Sequence, residues 1–153
     1  MLDEGLKILD GLWSGEAVTH HGSHYAVEGI SLAPLPLQRP RIPIWIGGDS
    51  APALRRAARW DGWLAPATSL DGTPTMSKSP ERAAEMVATI RRHRTTTAPF
   101  EVAIDGYSEA GDPTLPHAYQ AAGATWWLES IHGMRGTLDE MVSRVEMGPP
   151  VPG

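Results

Sequence analysis

Four consecutive residues, Gly47-Gly48-Asp49-Ser50, stand between an apolar run, Ile44-Trp45-Ile46, and a helical stretch opening on Ala51-Pro52. Paired glycines permit a tight turn and close approach of backbone to a ligand, and a proline fits the first helical turn, where no N–H partner is needed. The free amides of such a turn, with the Ser50 hydroxyl beside them, suit an anion such as a phosphate. The helix dipole adds about 0.3–1 kcal/mol when exposed, enough to position a phosphate but not to hold a larger ligand alone. Asp49 is the discordant member, since its carboxylate would repel a phosphate. Its amide is expected to serve while its side chain caps the helix or meets an arginine. The plainer alternative is that the glycines only permit the turn and Ser50 only caps the helix.

Further polar candidates lie at the ends of strand-like runs. Glu129 ends Ala124-Thr125-Trp126-Trp127-Leu128-Glu129, with His132 shortly after it. A carboxylate there can orient a substrate, move a proton or pair with an arginine. Asp105-Gly106 and Asp61-Gly62 have the same choice between a mouth-facing acid and simple turn chemistry. Trp63 and Trp126 can wall a substrate pocket beside Glu129 or fill a core. His20, His21 and His24 fall within five residues, but an extended chain puts His20 and His24 on one side and His21 on the other, so no metal site is expected. No glycine-rich dinucleotide fingerprint, P-loop, Gly-x-Ser-x-Gly elbow or His-Glu-x-x-His motif occurs, and no residue is assigned as catalytic.

The elements that must position these residues read out in order. Leu2, Leu6, Leu9 and Trp13 recur at helical spacing, with Asp3 and Glu4 in the first turn and Gly15 past the end. A short hairpin is expected from Val18 to Val27 around His21-Gly22-Ser23, and four prolines between Ala33 and Pro43 impose an extended arm. Strand, diglycine turn, helix and strand then follow within Pro43–Pro66, a βαβ unit. A polar loop is expected from Ala67 to Lys78, then a helix capped by Ser79-Pro80 and running to about His93, with Ala83, Met86, Val87 and Ile90 as its buried stripe. A strand Phe100–Ile104, a short helix from about Leu115 to Ala122 ended by Gly123, the strand Ala124–Glu129 and a last helix to about Met147 complete the order. The last helix is announced by Thr137-Leu138-Asp139-Glu140, which has capping-box spacing. Four strands separated by helices call for a parallel α/β sheet. An eight-stranded (β/α) barrel takes about 250 residues. The 153 residues are therefore expected to form one partial barrel domain, with an excursion at about 16–42, belonging to something larger.

Composition narrows the partners. A net charge of −5 without a basic run disfavours nucleic acid and anionic membrane. The absence of cysteine and of any long apolar stretch makes a cytoplasmic protein the expectation.

Four blocks of this sequence resemble the luciferase-like monooxygenases, the superfamily of flavin- or deazaflavin-dependent oxidoreductases. They are Leu2-Asp3-Glu4-Gly5-Leu6 through Leu12-Trp13 with Gly22-Ser23-His24-Tyr25; Arg41-Ile42-Pro43-Ile44-Trp45-Ile46-Gly47-Gly48; Arg55-Arg56-Ala57-Ala58-Arg59-Trp60-Asp61-Gly62; and Ala122-Gly123-Ala124-Thr125-Trp126-Trp127-Leu128-Glu129. The resemblance implies a partial (β/α)8 TIM barrel whose four strands are the family's fifth to eighth, with the cofactor across the carboxyl end. It implies FMN, or alternatively coenzyme F420, with the cofactor phosphate on Gly47, Gly48, Asp49 and Ser50, and a small organic substrate near Trp63, Trp126 and Glu129. Half of the family's site lies on strands absent from this chain, so activity of the chain alone is doubtful. A homo-oligomer, a complementary half-barrel or a noncatalytic half-barrel that binds flavin weakly are the alternatives.

Overall fold

A computed structural model describes residues 1–65 and 78–149, so most of the loop expected between Ala67 and Lys78, and Pro150, lie outside the described residues. The chain divides into two compact units, Met1–Ile44 and Trp45–Gly153.

In the first unit, α1 (Leu2–Ser14) ends on Gly15 in the left-handed region at φ 90°, with the Glu16 amide returning to the Gly11 carbonyl at 3.1 Å. β1 (Val18–His21) and β2 (Ala26–Ile30) form an antiparallel hairpin with His20 opposite Val27 and His21 opposite Ala26. The hairpin is tied to α1 by Glu4, whose carboxylate accepts the amides of Ser23 at 3.2 Å, His24 at 3.0 Å and Tyr25 at 3.2 Å. A Cβ on Gly22 would stand 2.3 Å from Glu4 Oε2, so only glycine admits that carboxylate to the turn. His20 and His24 both approach Glu4, at 3.5 and 3.1 Å, while His21 turns to Glu28 at 2.7 Å. Arg41, at the end of the proline arm, pairs with Asp10 of α1.

The second unit is a parallel sheet of β3 (Trp45–Gly47), β4 (Gly62–Leu64), β5 (Glu101–Gly106) and β6 (Trp126–Glu129), in that spatial order. α2 (Ala51–Ala57), α3 (Pro80–His93) and α4 (Thr114–Ala121) make the crossovers, and α5 (Leu138–Glu146) follows the last strand. The α/β class and the four parallel strands expected from the sequence are present. Strand alternation divides the sheet into two faces. Ile46, Trp63, Val102 and Ile104 point one way and are 5% exposed or less. The stripe of α3 is buried through the expected Ala83, Met86, Val87 and Ile90. Burial of each large apolar side chain of this set is worth about 1.5–3 kcal/mol. The opposite face carries Trp45, Leu64, Trp126 and Leu128, the last three 37%, 51% and 38% exposed.

Local signals account for the ends of the elements. The Ser79 hydroxyl accepts the Arg82 amide at 3.3 Å with Pro80 in the first turn of α3, and Thr137 with Glu140 forms a reciprocal capping box on α5. Asp105-Gly106, open in the sequence to a mouth-facing acid or to turn chemistry, is not a turn. Both residues lie within β5, because β6 pairs beyond Ile104, with Asp105 opposite Leu128 and Gly106 opposite Glu129.

The Glu4 clamp predicts a pH dependence. The His24 side chain and amide, and the Tyr25 amide, hold the Glu4 carboxyl down at about 2. A depressed carboxyl contributes stability that is full above its unfolded value near 4.5 and is lost as pH falls through the folded value. Amide exchange at His24 and Tyr25 should therefore accelerate as pH drops from about 4.5 toward 2, after correction for intrinsic rates. In Glu4→Gln the same amides should be weakly protected at all pH values; equal protection in the two proteins would refute the clamp.

Candidate site at the carboxyl ends of the parallel strands

The loop after β3 is shaped by two contacts from the core. Gly48 has φ 109°, a left-handed conformation that favours glycine, and a Cβ there would stand 3.0 Å from Ala53 Cβ. Its carbonyl accepts a hydrogen bond of 2.7 Å from Trp63 Nε1, whose side chain is fully buried. Trp63 therefore presents no surface to solvent and instead fixes the turn from beneath. Ser50 is the N-cap of α2, its hydroxyl accepting the Ala53 amide at 3.4 Å, which leaves the hydroxyl proton free to be donated. Asp49 turns to Lys78 at 3.3 Å, a lysine where the sequence reading allowed an arginine. Gly47 is exposed, and a Cβ on it would meet nothing within 4 Å. With only seven residues, α2 offers a modest dipole, so the amides of the turn itself are what an anion would meet.

Trp126 lies on the open face at the amino end of β6, its indole donating to Glu101 at 2.9 Å and its ring 6.0 Å from that of Trp45. The Trp45 ring also covers Gly62, where a Cβ would come within 2.7 Å of it. Glu129, at the carboxyl end of the same strand, is heavily engaged. It accepts the Ser108 amide at 3.0 Å, the Ser108 hydroxyl at 2.6 Å and the Trp127 indole at 2.9 Å, pairs with Arg135, and lies 3.4 Å from Arg144. Arg135 also donates to the carbonyls of Ser130 at 2.9 Å and Ser108 at 2.8 Å, and Arg144 to Gly148 at 2.7 Å. Burial works to raise the Glu129 carboxyl, but the Ser108 and Trp127 donors with Arg135 outweigh it and hold the group below the usual range. Of the roles open to this carboxylate, the geometry supports pairing that fixes the loops after β5 and β6. Ser108, Arg135 and Arg144 escaped the sequence reading because they stand 21, 6 and 15 positions from Glu129, spacings that carry no motif.

His132 bonds the Tyr107 hydroxyl at 2.5 Å, and the Arg135 guanidinium stacks 4.8 Å from the Tyr107 ring. Asp105 occupies the carboxyl end of β5 on the open face; burial raises its carboxyl above the usual value, with the Lys78 charge opposing. Among the described residues no group of three or more His, Cys, Asp or Glu side chains is arranged to hold a metal ion, and no helix is long and apolar enough to cross a membrane.

A family model described as luciferase-like monooxygenase matches residues 1–110. An uncharacterized protein of Mycobacterium tuberculosis is 34% identical over 116 residues, covering 72% of this chain and 36% of that protein, so the chain spans about a third of the length of this curated relative. An FMNH2-dependent dimethylsulfone monooxygenase of Pseudomonas putida is 36% identical over 61 residues, or 40% of this chain and 17% of that protein. Among solved structures, the coenzyme F420-dependent tetrahydromethanopterin reductase from Methanopyrus kandleri superposes with a TM-score of 0.53 at 15% identity, covering 74% of this chain and 32% of that one.

Two substitutions test the site's framework. Glu129→Gln removes the charge that both guanidiniums face and should cost about 2 kcal/mol in denaturant melts. Because the folded carboxyl is depressed, wild type should lose this advantage as pH falls below about 4.5. Gly48→Ala should cost about 1–3 kcal/mol from its left-handed φ and the Ala53 contact.

Proposed function

Because the chain belongs to the luciferase-like monooxygenase family, we propose that it contributes the cofactor-phosphate corner of a flavin-dependent oxidoreductase acting on a small organic substrate. One observation carries this reading. The family match takes in β3, the turn after it and α2, and that turn stands at the carboxyl end of a parallel sheet, where (β/α) enzymes bind their ligands. Gly47, Gly48, Asp49 and Ser50 are the cofactor-binding residues in this reading. Their arrangement fits a phosphate: Gly48 is held in a conformation that turns the backbone, Ser50 keeps a proton to donate, and the Asp49 carboxylate is directed to Lys78. The open space at Gly47 is where a phosphate would approach. The substrate space expected near Trp126 and Glu129 is divided between them, with Trp126 on the open face and Glu129 holding the loops after β5 and β6, and Trp63 serves the corner by holding Gly48. Flavin supplies the redox chemistry when bound; the chain's part is to bind and orient.

FMN is the first choice, in keeping with the name of the Pseudomonas relative. F420 is the alternative, after the name of the structural neighbour. Among the described residues the end strands β3 and β6 each have one unpaired edge, which a second copy of the chain or a complementary half-barrel would extend.

Calorimetric titration with FMN, and separately with F420, tests the reading. Uptake of one of them is expected, and Gly47→Leu should weaken it at least tenfold while leaving the thermal midpoint within a few degrees, since the added side chain enters open space. A protein that takes up neither cofactor, or a Gly47→Leu variant that binds as wild type does, overturns the assignment. The first of these outcomes would favour a noncatalytic half-barrel.

A further inference from the structure

Asp49, Asp105 and Glu129 stand toward the carboxyl ends of the parallel strands, and the amino ends carry arginine instead. There α2 and α3 finish side by side just before β4 and β5 begin, with Gly62 opposite Glu101. Arg94, directly after α3, donates to two carbonyls directly after α2, Ala58 at 3.3 Å and Trp60 at 2.8 Å, and its guanidinium stacks 4.4 Å from the Phe100 ring. This brace sets the last turns of the two helices together, with Arg55 and Arg56 on one and Arg91, Arg92 and His93 on the other. Residues 51–61 and 91–101 hold six of the chain's thirteen lysines and arginines, all six arginine, against two acids. One of those acids, Glu101, is engaged by the Thr125 hydroxyl at 2.5 Å and the Trp126 indole at 2.9 Å. Arg55, Arg91 and Arg92 are exposed and pair with no carboxylate among the described residues, Arg92 meeting only the Thr89 hydroxyl at 3.1 Å. The helix dipoles do not account for this charge, since each carboxyl end presents roughly half a negative unit charge and about one cation would match both.

We propose that this end of the second unit is a docking surface for an acidic segment of another protein, a short stretch of Asp and Glu whose carboxylates meet the Arg55, Arg91 and Arg92 guanidiniums. A planar guanidinium takes a carboxylate with two parallel hydrogen bonds, a geometry that lysine does not offer. The chain as a whole carries −5, so the attraction is local. With a screening length of about 8 Å at physiological salt, a short segment senses the arginines alone. A long polyanion, such as nucleic acid or an anionic membrane, runs on to the acidic remainder of the chain and is repelled there. A second copy of the chain is a poor match. Its longest acidic runs are the pairs Asp3-Glu4 and Asp139-Glu140, in which Glu4 is held by the hairpin amides and Glu140 by Thr137.

Fluorescence anisotropy on the whole chain tests this with labelled octaglutamate, beside octalysine, a short DNA duplex and vesicles of phosphatidylglycerol with phosphatidylcholine. Octaglutamate should bind and lose at least tenfold in affinity between roughly 50 and 300 mM salt. Arg55→Gln, on α2, and the pair Arg91→Gln with Arg92→Gln, on α3, should each weaken it at least threefold. All three together should weaken it at least tenfold with the thermal midpoint within a few degrees, because these side chains are exposed. Arg82→Gln, at the other end of α3, and Gly47→Leu, at the opposite end of the sheet, should bind octaglutamate as wild type does, which separates this surface from the cofactor corner. No uptake of octaglutamate, equal uptake of octalysine, or unchanged affinity in the triple variant overturns the proposal. DNA or vesicles bound more tightly than octaglutamate overturn it in favour of a longer polyanion. A salt-sensitive dimer in sedimentation that the triple variant abolishes overturns it in favour of a second copy.

Discussion

The second unit depends on burying one face of a parallel sheet, and Trp63 is where that burial reaches the candidate site. The indole is fully enclosed, and its one polar atom must find a partner inside. It finds the Gly48 carbonyl at 2.7 Å, so the side chain that fills the core also fixes the turn through which β3 enters α2. The turn is held a second time by the Ser50 cap, and Ala53 leaves little room for a side chain at Gly48. A loop pinned from two sides presents its amides with little conformational freedom left to lose, which is what preorganised anion binding requires.

Charge at the carboxyl ends follows from how fully each carboxylate is engaged. Glu129 is surrounded by donors and two guanidiniums and holds the loops after β5 and β6 together. Asp49 is neutralised by Lys78, which removes the objection to a phosphate at the neighbouring amides. Asp105, opposite Leu128 in β5, has its carboxyl raised by burial with the Lys78 charge opposing. Three acids at the same end of the sheet thus differ in role through their neighbours alone.

Much of this was legible in the residues. Helical spacing marked the buried stripe of α3, Ser79-Pro80 and Thr137–Glu140 marked helix starts, and the two glycines marked the turn, because each of these is a local rule acting within a few residues. The side chains that complete the site were not legible. Arg135 and Arg144 meet Glu129 only because the loop and helix α5 after the last strand fold back, and the use of Trp63 as a prop for Gly48 needs a strand 15 residues onward to lie alongside β3. Trp126 and Trp127 are neighbours in sequence, yet Trp126 lies open beside Trp45 while Trp127 turns to Tyr119 and Glu129.

The sequence by itself determined the order of elements, the parallel α/β class and the position of the diglycine turn, since periodicity, caps and breakers act locally and survive without tertiary context. Only the tertiary structure decided which acids are engaged and which face of the sheet is left open. Those outcomes depend on strand register and on contacts between residues far apart in the chain, where a shift of one residue would send each side chain to the opposite face.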